Sequence, residues 1–452
     1  MITLFSEEPL KGILKNVKTD NIMLPKIETQ SRETIKKFQE QKLHEHLRYL
    51  NSRSKFYKRL FDKHNIDIEK IRKLQDLEQI PVTTKEDIQL HNEDFICVEK
   101  RKIIDYITTS GTLGDPVTFA MTDKDLDRLA YNEAISFACA GCNEDDIFQL
   151  TTTIDKRFMA GLAYFLGARK LGAGIIRVGA GIPQLQWDSI NRMKPTVLIA
   201  VPSFILKLIE YAEENGIDYR RSSIKKAICI GEALRKQDFS LSTLAQKIKE
   251  KWDLELFSTY ASTEMGTAFA ECPQGRGGHH HPELIIVELL DDNDKVVPEG
   301  EPGEVTITTI GVEGMPLLRF KTGDICNAYY EPCGCGRTTM RLGVVIGRKQ
   351  QMIKFKGTTL YPPALYDILA EIPGIKNYVI EVYTNDIGTD EIMLRVGCDK
   401  VPEDFEKTIK DHFRAKIRVS PQVVFDTVEN IQKITYPETS RKPQTFIDRR
   451  RE

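Results

Sequence analysis

No run in the 452-residue sequence approaches the roughly 20 consecutive apolar residues that span a bilayer. The opening Met1–Glu8 also lacks the basic-then-apolar layout of a secretory signal. No membrane is expected as partner, and a cytoplasmic protein is. An excess of one charge is missing too: 64 Lys and Arg stand against 66 Asp and Glu, a net charge of −2. Nothing in that balance favours nucleic acid or an anionic surface, so a small ligand is expected instead. A disulfide framework is absent, because the nine cysteines are odd in number. They are scattered apart from Cys139 and Cys142 and the tight pair Cys333 and Cys335, a pattern of reduced thiols. Internal repeats and low-complexity segments are lacking as well. What is present is 41% hydrophobic residues, enough for a sizeable core and roughly two or three domains.

From about Glu28 to Asn65, Glu, Gln, Lys, Arg and Leu recur with apolar residues at helical spacing, which predicts helices. Ile103–Ile107 reads as a short strand. A helix follows over 123–140, with the Thr122 hydroxyl placed to cap it near Asp125. Apolar runs at 174–178 and 197–201 then alternate with helical stretches at 162–171 and 204–215. That is βα alternation, hence a mostly parallel sheet buried on both faces. The strand Lys226–Ile230 ends on Gly231-Glu232. These two are either walls of a pocket at the carboxyl end of the sheet or a turn into a helix that starts near Arg235. Residues 283–290 and 303–309, between Asp-, Asn-, Pro- and Gly-rich turns, predict antiparallel strands of a β-rich subdomain over about 267–345. Past Gly347-Arg348 the pattern resets to a small α+β unit. The fold expected is α/β: a large domain over 1–347 with parallel sheets, then a mobile α+β domain over 348–452, with its hinge near 350.

Thr108-Thr109-Ser110-Gly111-Thr112-Leu113-Gly114-Asp115-Pro116 sets hydroxyls and glycines in a short turn after an apolar run. Such a turn can gather N–H and O–H donors around anionic oxygens. It is not the GxxxxGK[ST] phosphate loop, and an ordinary polar turn would read the same. Downstream come Tyr260-Ala261-Ser262-Thr263-Glu264-Met265-Gly266, then Arg319-Phe320-Lys321-Thr322-Gly323-Asp324, Gly347-Arg348, Lys354-Phe355-Lys356-Gly357 and the closing Ile447-Asp448-Arg449-Arg450. Together and in this order they resemble the adenylate-forming enzymes: acyl-CoA synthetases, nonribosomal-peptide adenylation domains and luciferases. The phenylacetate-CoA ligase branch, with its SSGTTGKP, YGSTEMG and RYRTGD motifs, is the nearest likeness. Phe56-Tyr57 and Pro81-Val82-Thr83-Thr84-Lys85-Glu86-Asp87 resemble that branch's N-terminal signature.

The resemblance implies ATP-dependent ligation of an aryl carboxylic acid, phenylacetate-like, to coenzyme A through an acyl adenylate, with release of AMP and pyrophosphate. A carrier-protein thiol is the alternative acceptor, and a catalytically silent binding protein the alternative class. By the same likeness Thr108, Thr109, Ser110, Gly111 and Thr112 hold the β- and γ-phosphates, although the branch's Lys before Pro is Asp115 here. Gly231 and Glu232 border the nucleotide and acid. Tyr260 stacks on adenine, flanked by Ala261 and Ser262; Thr263 meets the α-phosphate and Glu264 holds Mg²⁺. Asp324 takes the ribose hydroxyls, which suits its two acceptor oxygens. Arg348 is the interdomain arginine and Gln350 the hinge. Lys356 and Gly357 face CoA, and Lys442, followed by Pro443, bridges carboxylate and α-phosphate. A homodimer is what the branch suggests.

Cys272, His279, Cys333 and Cys335 form a further set, of the Cys₃His type that binds structural zinc tetrahedrally. The Cys-x-Cys spacing is tighter than usual, and buried free thiols beside the polar His279-His280-His281 run are the other reading.

Overall fold

The structure is a computed structural model that describes residues 17–19, 22–109, 117–355, 358–385, 390–437 and 443–450. The chain divides into two compact units. The first comprises 1–241, 245–322 and 326–344, and the second 242–244, 323–325 and 345–452.

The first unit is built on a nine-stranded sheet. Five strands run parallel in the spatial order Gly174–Arg177, Ile147–Leu150, Val197–Ala200, Lys226–Cys229 and Glu255–Ser262. Val197–Ala200 is buried at every position, as expected of a strand covered on both faces. Helices Met159–Leu171, Pro183–Met193, Pro202–Glu214 and Thr243–Lys251 supply the crossovers. One core layer packs Trp187, Leu208, Ile209 and Trp252; another packs Phe137, Phe148, Tyr164 and Ile199. Strand order reverses at Ile147–Leu150, which has Gly174–Arg177 on one side and Val197–Ala200 on the other. In open α/β sheets such a switch point opens a crevice beyond the carboxyl ends of the strands.

One local expectation is corrected. The helix after Lys226–Cys229 begins at Thr243, not near Arg235. Arg235 instead forms a bridge with Leu241, and its guanidinium is held by Glu271 Oε1 at 2.7 Å and Phe239 O at 3.3 Å. The segment between is thus pinned as a loop. The antiparallel strands expected over 283–290 and 303–309 are present, and the β-rich stretch as a whole contributes to two sheets. Thr267–Glu271, Gly278–His279, Arg341–Leu342 and Ala328–Tyr329 continue the large sheet in antiparallel fashion. Ile285–Leu290 pairs antiparallel with Gly303–Thr309 in another sheet, with Phe320–Cys326 alongside.

Ile103–Thr108 pairs antiparallel with Thr118–Thr122, a strand the sequence pattern did not single out. Asp123–Cys139 follows at once. Thr122 Oγ1 accepts from Asp125 N, and the Asp125 carboxylate accepts from Thr122 N at 2.9 Å, a reciprocal capping box.

In the second unit, Asn377–Thr384 lies between Asp390–Gly397, antiparallel, and Phe446–Asp448, parallel. Gln422–Asp426 completes the sheet. Leu365, Ile380, Leu394, Ile409 and Phe413 fill the core between this sheet and helices Pro362–Glu371 and Phe405–Ile417. No helix among the described residues is long and apolar enough to cross a membrane.

Candidate active site

The Tyr260–Gly266 stretch folds as a β-hairpin. Glu255–Ser262 and Thr267–Glu271 pair antiparallel with Ser262 opposite Thr267, leaving 263–266 as the loop. Ser262 Oγ accepts from Met265 N at 3.3 Å, and Gly266 closes the loop with φ +53°, where a side chain would be strained. Thr263 and Glu264 are half-buried and border a cavity of about 30 Å³ with Arg128, Met121 and Met159. That is room for a water-sized guest. Glu264 forms no ion pair with another described residue, so its carboxylate is open to a hard cation. Tyr260 lies in the hairpin strand with its ring 5.9 Å from that of Phe269; Ala261 is exposed.

Thr108 and Thr109 are buried where the Ile103–Thr108 strand ends. Thr108 N donates to Arg157 O at 3.1 Å, and Thr109 exchanges hydrogen bonds with Val117 through its own N–H and its Oγ1. Ser110, Gly111, Thr112 and Asp115 lie outside the described residues. Gly231 has φ +77° just beyond Lys226–Cys229. Glu232 accepts from Ser203 N and Ser203 Oγ, both at 2.8 Å, a carboxylate seated on the first turn of Pro202–Glu214. Burial raises its pKa.

Asp324 and Arg348, 24 residues apart, face each other in antiparallel register. Arg348 Nε donates to the buried Asp324 Oδ1 at 3.1 Å. The resemblance implies a separate role for each; the sheet joins them. Gly347, beside Arg348, packs against Tyr361, whose ring atoms would lie 2.2 Å from an added Cβ. Lys356, Gly357 and Lys442 lie outside the described residues.

The four members of the proposed zinc set come together, with all ligand atoms within 4.8 Å of one another. Cys272 directly follows the Thr267–Glu271 strand, and His279 sits on the neighbouring Gly278–His279 strand, with Ala270 opposite it. Cys333 and Cys335 sit in a turn closed by Cys333 N to Arg337 O at 2.9 Å and Gly336 N to Cys333 O at 3.0 Å. Cys272 Sγ is 3.6 Å from Cys333 Sγ, and Cys335 Sγ is 3.4 Å from His279 Nε2. Those are close to the edges of a tetrahedron with Zn–S of about 2.3 Å. His279 Nδ1 meets Thr339 Oγ1 at 3.1 Å, which turns Nε2 toward the sulfurs. Cys335 is drawn toward the thiolate by the hydrogen bond from Cys272 and by His279.

Sequence reasoning missed the charges behind this cluster. Glu28 is fully buried, with Oε2 accepting from Arg337 Nε at 2.6 Å and Oε1 from His281 Nδ1 at 2.5 Å. Arg337 also donates to Cys335 Sγ at 3.7 Å. The signal was present in part, since Arg337 ends the Cys-Gly-Cys-Gly-Arg run, but nothing local marks Glu28 as its partner.

The sequence matches the AMP-binding enzyme family over residues 3–314. A phenylacetate-coenzyme A ligase of Thermus thermophilus is 30% identical over 394 residues, covering 85% of each chain. That of Aromatoleum evansii is 25% identical over 447 residues, covering 94% of this chain and 97% of its own. Among solved structures, 2-hydroxyisobutyryl-CoA ligase in the postadenylation state, in complex with 2-HIB-AMP, matches with a TM-score of 0.85 at 22% identity, covering 99% of this chain and 95% of the other. At that identity what is shared is the fold.

Proposed function

The chain belongs to the AMP-binding enzyme family, and from that premise we propose that it is an AMP-forming acid–thiol ligase, acting on an aryl acid such as phenylacetate with ATP and coenzyme A. The observation that carries the reading is likeness over 85% of both chains to a phenylacetate-coenzyme A ligase. The site agrees with it: Thr263 and Glu264 stand side by side on a hairpin loop at an ion-sized cavity.

In the first half-reaction a carboxylate oxygen of the acid attacks the α-phosphorus of ATP and pyrophosphate departs. In the second the CoA sulfur attacks the acyl carbon and AMP departs with the electron pair of the broken C–O bond. Both steps depend chiefly on positioning and on electrostatic stabilisation. Thr108 and Thr109, with Ser110, Gly111 and Thr112, donate to the β- and γ-phosphates. Thr263 orients the α-phosphate, Tyr260 takes the adenine face, and Asp324, fixed by Arg348, accepts from the ribose hydroxyls. Glu264 would hold Mg²⁺, which when bound neutralises phosphate charge. Residues 348–452 pivot near 350, presenting Lys442 for adenylation and Lys356-Gly357 for thioester formation. ATP and CoA as co-substrates favour a cytoplasmic location, and a homodimer is the assembly to check by light scattering.

The test incubates the protein with Mg-ATP and a panel of aryl and fatty acids, with and without CoA, following pyrophosphate, AMP and acyl-CoA. A CoA thioester formed with an aryl acid, alongside stoichiometric AMP, is the expected result. Pyrophosphate without thioester would replace CoA by a carrier thiol as acceptor. Silence across the panel, with no ATP binding by calorimetry, would overturn the ligase reading.

We also propose that Cys272, His279, Cys333 and Cys335 hold a structural zinc. With four protein ligands there is no open position, so its contribution is to the fold alone. Protein purified without added metal should carry one zinc per chain by elemental analysis, and stripping it should lower Tm by several degrees while leaving KM for ATP unchanged. Well under one equivalent, with a chelator-insensitive Tm, would overturn the assignment.

A further inference from the structure

We propose that Arg128 is a positioning residue for adenylation, holding the loop that carries Thr263 and Glu264; this rests on the ligase reading above. The starting observation is a polar stripe where a helix ordinarily buries apolar side chains. Asp125, Arg128 and Asn132 stand at i, i+3 and i+7 of Asp123–Cys139, hence on one face. Asp125 and Asn132 are only 2% and 1% exposed.

Each member of the stripe grips the backbone of a distant segment. Asp125 accepts from Glu313 N at 2.7 Å and from Gly314 N at 2.8 Å. Asn132 Oδ1 accepts from Ala268 N at 3.0 Å. Arg128, between them, makes four hydrogen bonds: Nη1 to Gly266 O at 2.6 Å, Nη2 to Thr267 Oγ1 at 3.0 Å and to Leu284 O at 2.6 Å, and Nε to Ile310 O at 2.7 Å. Only a planar fork of N–H donors reaches all four acceptors at once. The contact is also fitted from the other side. A Cβ at Gly266 would lie 3.3 Å from Arg128 Nη1, so glycine there serves both the positive φ and the approach of the guanidinium.

Fold stability alone does not account for this arrangement. Every acceptor of Arg128 is neutral, and burial pulls its pKa down to about 10, which still leaves it charged at neutral pH. A desolvated cation that hydrogen-bonds only neutral acceptors, with Asp125 and Glu283 only partly offsetting its burial, is a poor stabiliser compared with an apolar side chain of similar volume. What it supplies is geometry. The 263–266 loop is tied at one end by Ser262 Oγ to Met265 N and at the other by Arg128 to Gly266 O. Between those ties stand the two side chains assigned to the α-phosphate and the cation. Displacing them by about 1 Å is enough to cost on the order of a hundredfold in rate.

The test uses the full chain and separates the two half-reactions: acid-dependent exchange of pyrophosphate into ATP, and thioester formation from a supplied acyl adenylate with CoA. Arg128→Met is expected to lower kcat for exchange about a hundredfold and to raise the Mg²⁺ concentration needed for half-maximal exchange. KM for the acid and thioester formation should change by no more than about twofold, because neither depends on an interaction confined to the adenylation transition state. Arg128→Lys should recover part of the exchange rate. If Arg128→Met fails to fold, the same split and the same Mg²⁺ shift in Arg128→Lys decide. Unchanged exchange, or an equal fall in both half-reactions, would overturn the proposal. A wild-type chain silent in both would instead overturn the ligase reading.

Discussion

Replacing Glu28 by alanine is expected to destabilise the first unit by about 3–5 kcal/mol, the scale of breaking a buried ion pair from one side. Burial alone would raise the Glu28 pKa, but His281 and Arg337 outweigh it and hold the carboxyl at about 2. Removing the anion leaves Arg337, only 4% exposed, and His281, whose Nε2 meets Ser136 Oγ at 3.2 Å, without the charge they surround. Urea denaturation of the wild type and of Glu28→Ala measures the loss. A double variant with Arg337→Met should recover part of it, since an apolar replacement of both partners removes the stranded charge. Additive losses would mean that the two residues are not coupled. The pH dependence has a definite sign. A carboxyl whose folded pKa lies below its unfolded value stabilises fully above the unfolded pKa, about 4.5, and loses that contribution as pH falls toward about 2. Glu28→Gln should therefore flatten the acid limb of the stability curve between those values. An acid limb identical to the wild type's would show that another group governs it. Because Arg337 also touches Cys335 Sγ, Glu28→Ala should hold zinc less tightly as well.

Elements stabilised by local chemistry were legible, and those stabilised by distant partners were not. Thr122 capping Asp125, and the apolar Val197–Ala200 run buried on both faces, follow from residues next to one another. The clustering of Cys272, His279, Cys333 and Cys335 was legible because thiols and imidazoles are rare enough to mark one another across 61 residues. The roles of Asp125, Arg128 and Asn132 were not legible beyond their helix, since spacing says which residues share a face but not whether that face meets water or another segment. The Glu28 carboxylate was hidden for the same reason. Its partners lie 253 and 309 residues away, and a Glu in a helix-forming stretch is ordinarily solvated. The loop around Arg235 failed as a helix prediction because Glu271, on another strand, holds its guanidinium. Tertiary contacts overrode a local preference there. Charged side chains buried against remote backbone are thus where this sequence was least readable, and they surround both the hairpin loop and the cysteine cluster.

Lys442→Ala should abolish most adenylation, with pyrophosphate exchange falling about a hundredfold to a thousandfold, the scale of losing one preorganised donor to a developing anion. Thioester formation from a supplied acyl adenylate should survive, because the carboxylate and α-phosphate that Lys442 bridges are by then already joined. Lysine suits a role confined to one half-reaction: it is a point cation on a flexible stem, able to reach the reacting oxygens and to withdraw. The chain beyond it is firmly tied. Gln444 N donates to Thr435 O at 2.7 Å, Ile380 N to Thr445 O at 2.8 Å, and Phe446–Asp448 then pairs with Asn377–Thr384. Substitutions at Gln350 that stiffen the backbone should slow the alternation between half-reactions while leaving each one competent in isolation. Retention of exchange would return Lys442 to the status of a solvated tail cation and leave adenylation to Thr263, Glu264 and the donors around Thr108, whereas loss of both half-reactions would mean that its role is not confined to adenylation.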